Sequence, residues 1–296
     1  MNCAVIYNPS SGRARQGKRL EFIVSSLKSK FETVDVFPTE KAGHAAELAS
    51  AACGKYDVLV AIGGDGTLSE VVNGLAEKEG RPLLGYIPQG TCNDVAHSLG
   101  VSRNYRKAVS TILNGKIFKH DIFKANGKYG IYVCCAGLFT ETSYATSQKH
   151  KKRVGKLAYF CHGVKKLFST KSVDLELSYD GGKVKGKFAF MLILNSKSVA
   201  GFGINKKAKL DDGVLDILLI PEHKKNVSIK GAAKVASIFV FGFKRQGYRL
   251  RLNKFSVKTA AGEVINIDGE KAFSGDFDFE VLRQGLDIIV PKNFKN

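Results

Sequence analysis

A glycine-rich turn with one carboxylate, Gly63-Gly64-Asp65-Gly66-Thr67 (the glycine turn), is the part of this sequence best suited to binding phosphate. The apolar run before it, residues 58–62, is typical of a parallel strand buried on both faces. The apolar residues after it have the spacing of a helix with one buried face: Leu68, Val71, Val72 and Leu75. Backbone amides and the positive end of the helix dipole meet at such a turn and favour phosphate. We expect Asp65 to hold a Mg²⁺ ion that binds this phosphate.

Thr67 and Glu70 have the spacing of a capping box, which also predicts that a helix begins at the glycine turn. Glycine pairs are common in ordinary turns, so a turn without a ligand is the competing interpretation. Two common nucleotide-binding fingerprints, Gly-x-Gly-x-x-Gly and Gly-x-x-x-x-Gly-Lys-Ser/Thr, do not occur in the sequence. The glycine turn is therefore not that of a dinucleotide-binding fold or a P-loop.

Strands alternate with helices through the first 123 residues. The predicted strands are residues 3–7, 34–37, 58–62 and 83–87, and the predicted helices are residues 20–31, 43–53, 68–75, 94–98 and 105–114. This alternation favours a parallel sheet covered by helices on both faces. Ligands of such sheets bind beyond the carboxyl ends of the strands, where polar turns follow at residues 8–12, 63–67 and 90–94. Three such turns in one sheet favour a single shared phosphate site.

The remainder of the chain has the alternating pattern of strands. The predicted strands are residues 173–179, 188–194, 214–220, 248–252, 255–258, 264–268, 277–282 and 286–290, with helices near 154–168 and 228–240. Asp180-Gly181-Gly182 predicts a hairpin turn. This pattern predicts a β-rich second domain, a sandwich, over residues 124–285. The first domain covers residues 1–123, and we expect residues 286–296 to return to it.

Basic residues are concentrated in the second domain. The net charge of the chain is +19. Residues 1–123 contain 15 Lys or Arg and 12 Asp or Glu, whereas the residues from 124 onward contain 31 and 15. Such an excess points to an anionic partner, either nucleic acid or acidic lipid. The basic run at residues 149–153 is the densest part of it.

Cysteine usage and hydropathy place the chain in the cytoplasm. The six cysteines form no Cys-x-x-Cys pair and join no histidine cluster, which favours buried, reduced thiols. We expect no signal peptide, because the first apolar run is short and is broken by Asn8-Pro9. We also expect no transmembrane segment, because the longest apolar stretch, residues 229–243, contains two lysines.

The sequence resembles the soluble diacylglycerol kinase family, which includes bacterial lipid kinases, sphingosine kinases and ceramide kinases. The resemblance rests on the glycine turn followed by Gly90-Thr91-Cys92-Asn93-Asp94, on Asn8-Pro9-Ser10-Ser11-Gly12, and on two later motifs, residues 210–216 and Asp268-Gly269-Glu270. It covers the whole chain and is greatest for bacterial members of the Gram-positive type. It implies an N-terminal α/β domain similar to NAD kinases and 6-phosphofructokinases, a C-terminal β-sandwich, and ATP in the cleft between them.

Amide and hydroxyl donors for the ATP phosphates are expected at the residues that match the family's nucleotide site. These residues are Asn8, Pro9, Ser10, Ser11, Gly12, Thr39, Gly63, Gly64, Asp65, Gly66, Thr67, Thr91 and Asp94. Asp94 would extend the Mg²⁺ network of Asp65, and a helix N-cap is its alternative role.

The resemblance also assigns residues to a second metal site and to catalysis. It implies a structural Mg²⁺ bound by the Asp212 carboxylate and by the carbonyls of Lys209 and Val214, although Asp-Gly is also ordinary turn chemistry. It favours Glu270 as the base that takes the proton of a lipid hydroxyl. Asp268 would assist Glu270 or bind Mg²⁺, and the sequence leaves these two roles open.

The predicted function is an ATP-dependent kinase that phosphorylates diacylglycerol to phosphatidic acid at the surface of an anionic membrane. The enzyme alternatives are a kinase for a sphingoid base or another lipid alcohol, and an NAD kinase or phosphofructokinase. The non-enzyme alternative is a basic module that senses nucleotides or binds nucleic acid, but no zinc spacing, RNA-binding fingerprint or helix-turn-helix signature supports it. A nucleic-acid partner is therefore not expected, and homodimerisation is left open.

Overall fold

The structure is a computed structural model that describes residues 1–9, 16–137, 172–199, 201, 203–222, 247–260 and 262–296. Its N-terminal part alternates strands and helices, as predicted. The strands are β1 (Asn2–Tyr7), β2 (Thr33–Pro38), β3 (Val58–Gly63) and β4 (Leu83–Pro88). The helices are α1 (Gln16–Leu27), α2 (His44–Ala52), α3 (Asp65–Leu75), α4 (Asp94–Ser98) and α5 (Tyr105–Asn114).

The four N-terminal strands form a parallel sheet in the order β2-β1-β3-β4. β3 is buried along its whole length because it lies between two strands and under helices, which explains its unbroken apolar sequence. The register pairs Tyr7 with Pro38 and with Ile62, and Gly63 with Pro88. The carboxyl ends of all four strands therefore lie at one edge of the sheet, and the glycine turn starts there.

The C-terminal part is β-rich, which confirms the predicted fold class. Its strands are β5 (Lys116–Ala125), β6 (Lys128–Gly130), β7 (Val133–Gly137), β8 (Val173–Tyr179), β9 (Gly182–Leu194), β10 (Leu215–Pro221), β11 (Tyr248–Leu252), β12 (Lys254–Thr259), β13 (Val264–Ile267), β14 (Glu270–Ser274) and β15 (Phe277–Val290). Apart from the single parallel contact of β15 with β4, these strands pair antiparallel. Their inward faces share an apolar core in which Phe279 stacks on Phe123 and Phe255, with ring centroids 4.8 and 4.7 Å away.

β15 links the two parts of the protein. Ile288 pairs with Leu84 of β4, while β15 also pairs with β5 over most of its length. The two strands predicted at residues 277–282 and 286–290 are this one strand, whose pairing is irregular between Leu282 and Leu286. The predicted domain boundary after residue 123 falls inside β5.

Four short or irregular strands were not predicted from the sequence: β5, β6, β7 and β14. The first of them mixes lysines with apolar residues, and the other three have five residues or fewer, so none shows a clear alternation. The described part of the chain contains no helix long and apolar enough to cross a membrane. The helices predicted near residues 154–168 and 228–240, and the basic run at 149–153, lie outside the described residues.

Candidate active site

The residues that follow β1 and β3 meet at the carboxyl edge of the sheet. The backbone N–H of Asn8 donates to the Ile62 carbonyl over 3.1 Å, and its side-chain amide lies 3.4 Å from Thr67 Oγ1. The N–H of Thr39 donates to the carbonyl of Tyr7, so the end of β2 joins the same group. The structure thus places Asn8, Thr39 and Thr67 at one edge of the sheet, and their role in binding nucleotide stays a prediction. Pro9 is exposed beside them, and Ser10, Ser11 and Gly12 lie outside the described residues.

Glycine is required at Gly90, where two loops approach each other through their backbones, and at Gly63, where the Thr67 side chain packs against the backbone. A Cβ on Gly63 would lie 2.5 Å from Thr67 Oγ1, and a Cβ on Gly90 would lie 2.6 Å from the Cα of Gly64. Contacts this short are not tolerated by real side chains, so both positions need glycine. The Asn93 side chain fixes the second loop by accepting from the N–H of Gly90 and donating to its carbonyl.

The start of α3 differs from the sequence prediction. The helix begins at Asp65 with Gly64 as its N-cap, and no side chain caps it. The predicted capping box is therefore wrong: Glu70 Oε2 instead accepts a hydrogen bond from the N–H of Ala45, at the start of α2. The first-turn amides of α3 have no intrahelical acceptor, so the glycine turn keeps its donors for a ligand.

Two carboxylates lie between the glycine turn and α4. Asp65 Oδ1 accepts a hydrogen bond from the N–H of Val95 over 3.3 Å. Burial, and to a smaller extent the charge of Asp94, raises the pKa of Asp65 to about 6. Asp94 is buried and accepts hydrogen bonds from Ser198 Oγ at 2.6 Å and from the N–H of Gly201 at 2.8 Å. Asn93 is the N-cap of α4, so the alternative role of Asp94 as a cap is wrong. Asp94 ties this edge of the sheet to the C-terminal part.

Thr91 is the most exposed of the predicted nucleotide residues in this loop. Its carbonyl accepts from the guanidinium of Arg103 over 3.0 Å. Arg103 was not predicted as a site residue, because its partner is a backbone oxygen that no sequence pattern marks. The described structure places a cation next to the loop that would face the phosphates.

Asp268 and Glu270 have different surroundings. The Asp268 carboxylate is buried and accepts from the backbone N–H groups of Ile131, Tyr132 and Val133 over 2.8 to 3.0 Å. Burial raises the pKa of Asp268 to about 6, although these hydrogen bonds oppose the shift. Its backbone has φ +51, so it forms the tight turn between β13 and β14. A carboxylate with three amide donors holds that turn in place.

Glu270 faces the glycine turn across a cleft. A Cβ added to Gly66 would lie 3.2 Å from Glu270 Oε1. Much of the Glu270 side chain is exposed, but enclosure of its carboxylate and the nearby charge of Glu70 raise its pKa, while Lys128 lowers it. The structure therefore brings Glu270 and the glycine turn together, which the sequence separates by about 200 positions.

The cleft beside Glu270 has a volume of about 210 Å³. Its walls come from the start of α2, from α3, from β6 and from the β13–β14 hairpin, and they include Ala42, Gly43, Ser69, Glu70, Asn73, Lys128, Tyr129, Glu270 and Lys271. Asn73, Lys128 and Tyr129 were not predicted as site residues, and Glu70 was predicted to cap its own helix. The spacing of Ser69 and Asn73, four apart on α3, is the one signal that could have placed them on a common face.

The aspartate-rich loop at residues 210–216 lies apart from the cleft and is neutralised by arginines. Asp212 forms an ion pair with Arg251, and Asp216 pairs with Arg249 at 3.0 Å. The second Asp212 oxygen accepts from the N–H of Val214. No cluster of three metal-binding side chains occurs in the described ranges. The Mg²⁺ predicted at Lys209, Asp212 and Val214 uses one side chain and two carbonyls, so it stays a prediction, and it would have to share Asp212 with Arg251.

Comparison with known proteins shows the family to which the chain belongs. Residues 2–125 match the diacylglycerol kinase catalytic domain, and residues 135–290 match the YegS C-terminal NAD kinase beta sandwich-like domain. A diacylglycerol kinase of Staphylococcus saprophyticus is 35% identical, with 99% of this chain and 96% of the relative covered. One from Bacillus subtilis is 33% identical, with coverage of 97% and 96%.

Solved structures lead to the same family. The crystal structure of a diacylglycerol kinase from Bacillus anthracis superposes with a TM-score of 0.84 at 25% identity, and the superposition covers 98% of this chain and 96% of the other. The resemblance drawn from the motifs is thereby confirmed across both parts of the protein. This chain belongs to the diacylglycerol kinase family.

Proposed function

We propose that the protein is an ATP-dependent kinase that phosphorylates the hydroxyl group of diacylglycerol to give phosphatidic acid. The observation that carries this proposal is the position of the Glu270 carboxylate beside Gly66, in the first turn of α3, which has no side-chain cap among the described residues. A site for the phosphate donor and a base for the acceptor hydroxyl would therefore adjoin in one cleft. The names of the curated relatives support diacylglycerol as the acceptor.

The glycine turn would bind the transferred phosphate through the N-terminal amides of α3 and the hydroxyl of Thr67. The oxygen ligands present, the Asp65 carboxylate with Asp94 behind it, suit Mg²⁺, which when bound would neutralise charge on the phosphate oxygens. Arg103 adds a positive charge at the Thr91 loop.

Glu270 would accept the proton of the lipid hydroxyl as the hydroxyl oxygen bonds to the γ-phosphorus of ATP, while the bond to the β–γ bridging oxygen breaks and ADP leaves. The pKa of Glu270 is raised, which brings it closer to neutral pH, where a general base works best. Asp268 cannot contact a substrate in the same way, because its carboxylate is buried under three backbone amides. We therefore assign proton transfer to Glu270 and the positioning of its turn to Asp268.

A panel of acceptors incubated with γ-labelled ATP tests this function. Diacylglycerol, sphingosine, ceramide, NAD and fructose 6-phosphate should be compared with the wild type, Asp65→Ala and Glu270→Gln proteins. We expect label in phosphatidic acid with the wild type only. Label in a sphingoid product would show that the protein is a lipid kinase whose acceptor is a sphingoid base. Label in NADP or fructose 1,6-bisphosphate, or an active Asp65→Ala protein, would refute the proposal.

The acceptor is a membrane lipid, so we also propose that the protein binds anionic membranes through its basic residues. Residues 138–171 and 223–246 together carry 14 Lys or Arg and one acidic residue. On the described β8–β9 surface, by contrast, lysines have acidic neighbours, as in the Lys185–Glu176 pair at 3.2 Å. The unbalanced positive charge is therefore concentrated in those two sequence segments.

Sedimentation with vesicles tests membrane binding. Each Lys or Arg near an anionic surface contributes about 1 kcal/mol, so binding to phosphatidylglycerol vesicles should weaken steeply with salt and be poor on neutral vesicles. Replacing Lys149, Lys151, Lys152 and Arg153 by glutamine should reduce it. The matched control replaces Lys183, Lys185 and Lys187 and should bind like the wild type. Binding that ignores salt, or equal losses in both variants, would contradict the proposal.

A further inference from the structure

Asn73 joins α3 to the second part of the protein through two backbone-like hydrogen bonds. Its side-chain amide donates to the carbonyl of Tyr129 over 2.8 Å, and its side-chain oxygen accepts from the N–H of Tyr129 over 3.0 Å. The same amide also donates to the carbonyl of Ser69, one turn earlier on α3. The Asn73 amide thus pairs with both backbone groups of Tyr129, as a neighbouring strand residue would, and fixes the position of β6 along α3.

The segment held by Asn73 is followed in the chain by the residues that bind Asp268, in the same hairpin as Glu270. Gly130 follows Tyr129, and a Cβ there would lie 2.7 Å from Ile267 Cγ2, so β6 packs tightly on the end of β13. The next three residues donate their N–H groups to Asp268. Ser69, on the same face of α3 as Asn73, also hydrogen-bonds to Asp268.

We infer that Asn73 is a positioning residue that sets the distance between Glu270 and the glycine turn. One end of α3 carries Asp65 and Gly66, and Asn73, its ninth residue, ties the helix to Tyr129 of β6. The residues after β6 hold Asp268, in the hairpin that carries Glu270. Without this tie, the two walls of the cleft are joined less firmly, and Glu270 loses its fixed position beside Gly66. The inference rests on the proposed function for its effect on catalysis, but not for its effect on structure.

Two variants and one control test this role. Asn73→Ala removes both hydrogen bonds to Tyr129 as well as the one to Ser69. Asn73→Asp keeps the shape and the acceptor but places an oxygen against the Tyr129 carbonyl. The control is Lys124→Met, which breaks the exposed Lys124–Glu77 ion pair of 2.6 Å between the same two regions without touching Asn73. All three should be compared with the wild type at a temperature where each is fully folded.

Misplacement of a catalytic group by about 1 Å can cost on the order of 100-fold in rate, so we expect kcat to fall by about 10- to 100-fold in both Asn73 variants. The KM for ATP should change little. Hydrogen exchange of the amides in residues 264–272 should be faster in the Asn73 variants and unchanged in Lys124→Met. A merely structural role would lower the unfolding midpoint but leave kcat and this exchange as in the wild type.

Three results would overturn the inference: wild-type kcat in a folded Asn73→Ala protein, loss of kcat without faster exchange in residues 264–272, or a change confined to the KM for ATP. The Glu270→Gln protein separates this from the proposed function. If Glu270→Gln turns over like the wild type, Glu270 is not the base. The exchange measurement then still decides whether Asn73 holds the hairpin.

Discussion

The Glu270 carboxylate lies so close to Gly66 that a methyl group on Gly66 would come within 3.2 Å of Glu270 Oε1. Gly66 belongs to the first turn of a helix, and its backbone is not in the left-handed region that needs glycine. Glycine at this position therefore leaves space for the Glu270 carboxylate and is not needed for the backbone conformation. A side chain here should change activity without disturbing folding.

Gly66→Ala should lower turnover about tenfold or more, because the added methyl displaces the Glu270 carboxylate. Unfolding free energy should stay the same or rise by up to about 1 kcal/mol, since alanine is the better helix former. The control is Gly17→Ala in α1, where a Cβ meets nothing within 4 Å. In a Glu270→Gln background, Gly66→Ala should cost little further activity; full additivity would show that the methyl acts elsewhere.

Glu270→Gln and Asp268→Asn should separate proton transfer from positioning. Glu270→Gln should lose about 10²–10⁴-fold in turnover, as expected for a general base, with thermal stability unchanged. Asp268→Asn leaves one acceptor oxygen for three amides, so it should lose about 1–3 kcal/mol of stability as well as turnover. Turnover assays and urea unfolding measure both. If Asp268→Asn is stable but inactive and Glu270→Gln is active, Asp268 is the base and Glu270 is not.

The Asp212–Arg251 ion pair determines how a cation would act at the aspartate-rich loop. Binding to the native state raises stability by mass action, so millimolar Mg²⁺ should raise the melting temperature. The rise should be larger in Arg251→Met, which frees Asp212, and smaller in Asp212→Asn, in which only the Asp65 site can bind Mg²⁺. Scanning calorimetry with Mg²⁺ or with chelator measures it. If no variant responds to Mg²⁺, the arginines alone neutralise the loop and the metal prediction fails.

His120 should make stability sensitive to mild acid. It is buried, its Nδ1 contacts the carbonyl of Asp121, and burial lowers its pKa to about 4. The unfolded chain takes up a proton near pH 6.5, so stability present above that pH is lost as the pH falls from about 6.5 to 4. This loss is on the order of 3 kcal/mol. His120→Gln should lack it when unfolding is measured across this range. Parallel curves for both proteins would show that His120 does not titrate on unfolding.

The amino-acid sequence by itself determined the alternating elements of the N-terminal part and most strands of the C-terminal part. An apolar run such as residues 58–62 predicts a buried strand, because burial on both faces excludes polar side chains. The glycines of the glycine turn predict close approach of the backbone to another group, because they have no side chain. The family also followed from the sequence, since its motifs are short contiguous stretches.

Only the tertiary structure decided which residues meet across the cleft. Gly66 and Glu270 are brought together by the pairing of β13 with β7 and by the contact of β6 with α3, and no local pattern encodes such long-range pairing. Glu70 has the spacing of a cap for its own helix, yet it caps α2, because a side chain on the face of one helix bonds the nearest free amide in space.

Asp268 and Glu270 look equivalent in the sequence. Burial under three amides makes one a support and leaves the other facing the site, because solvent and hydrogen-bond partners, rather than residue type, set what a carboxylate does.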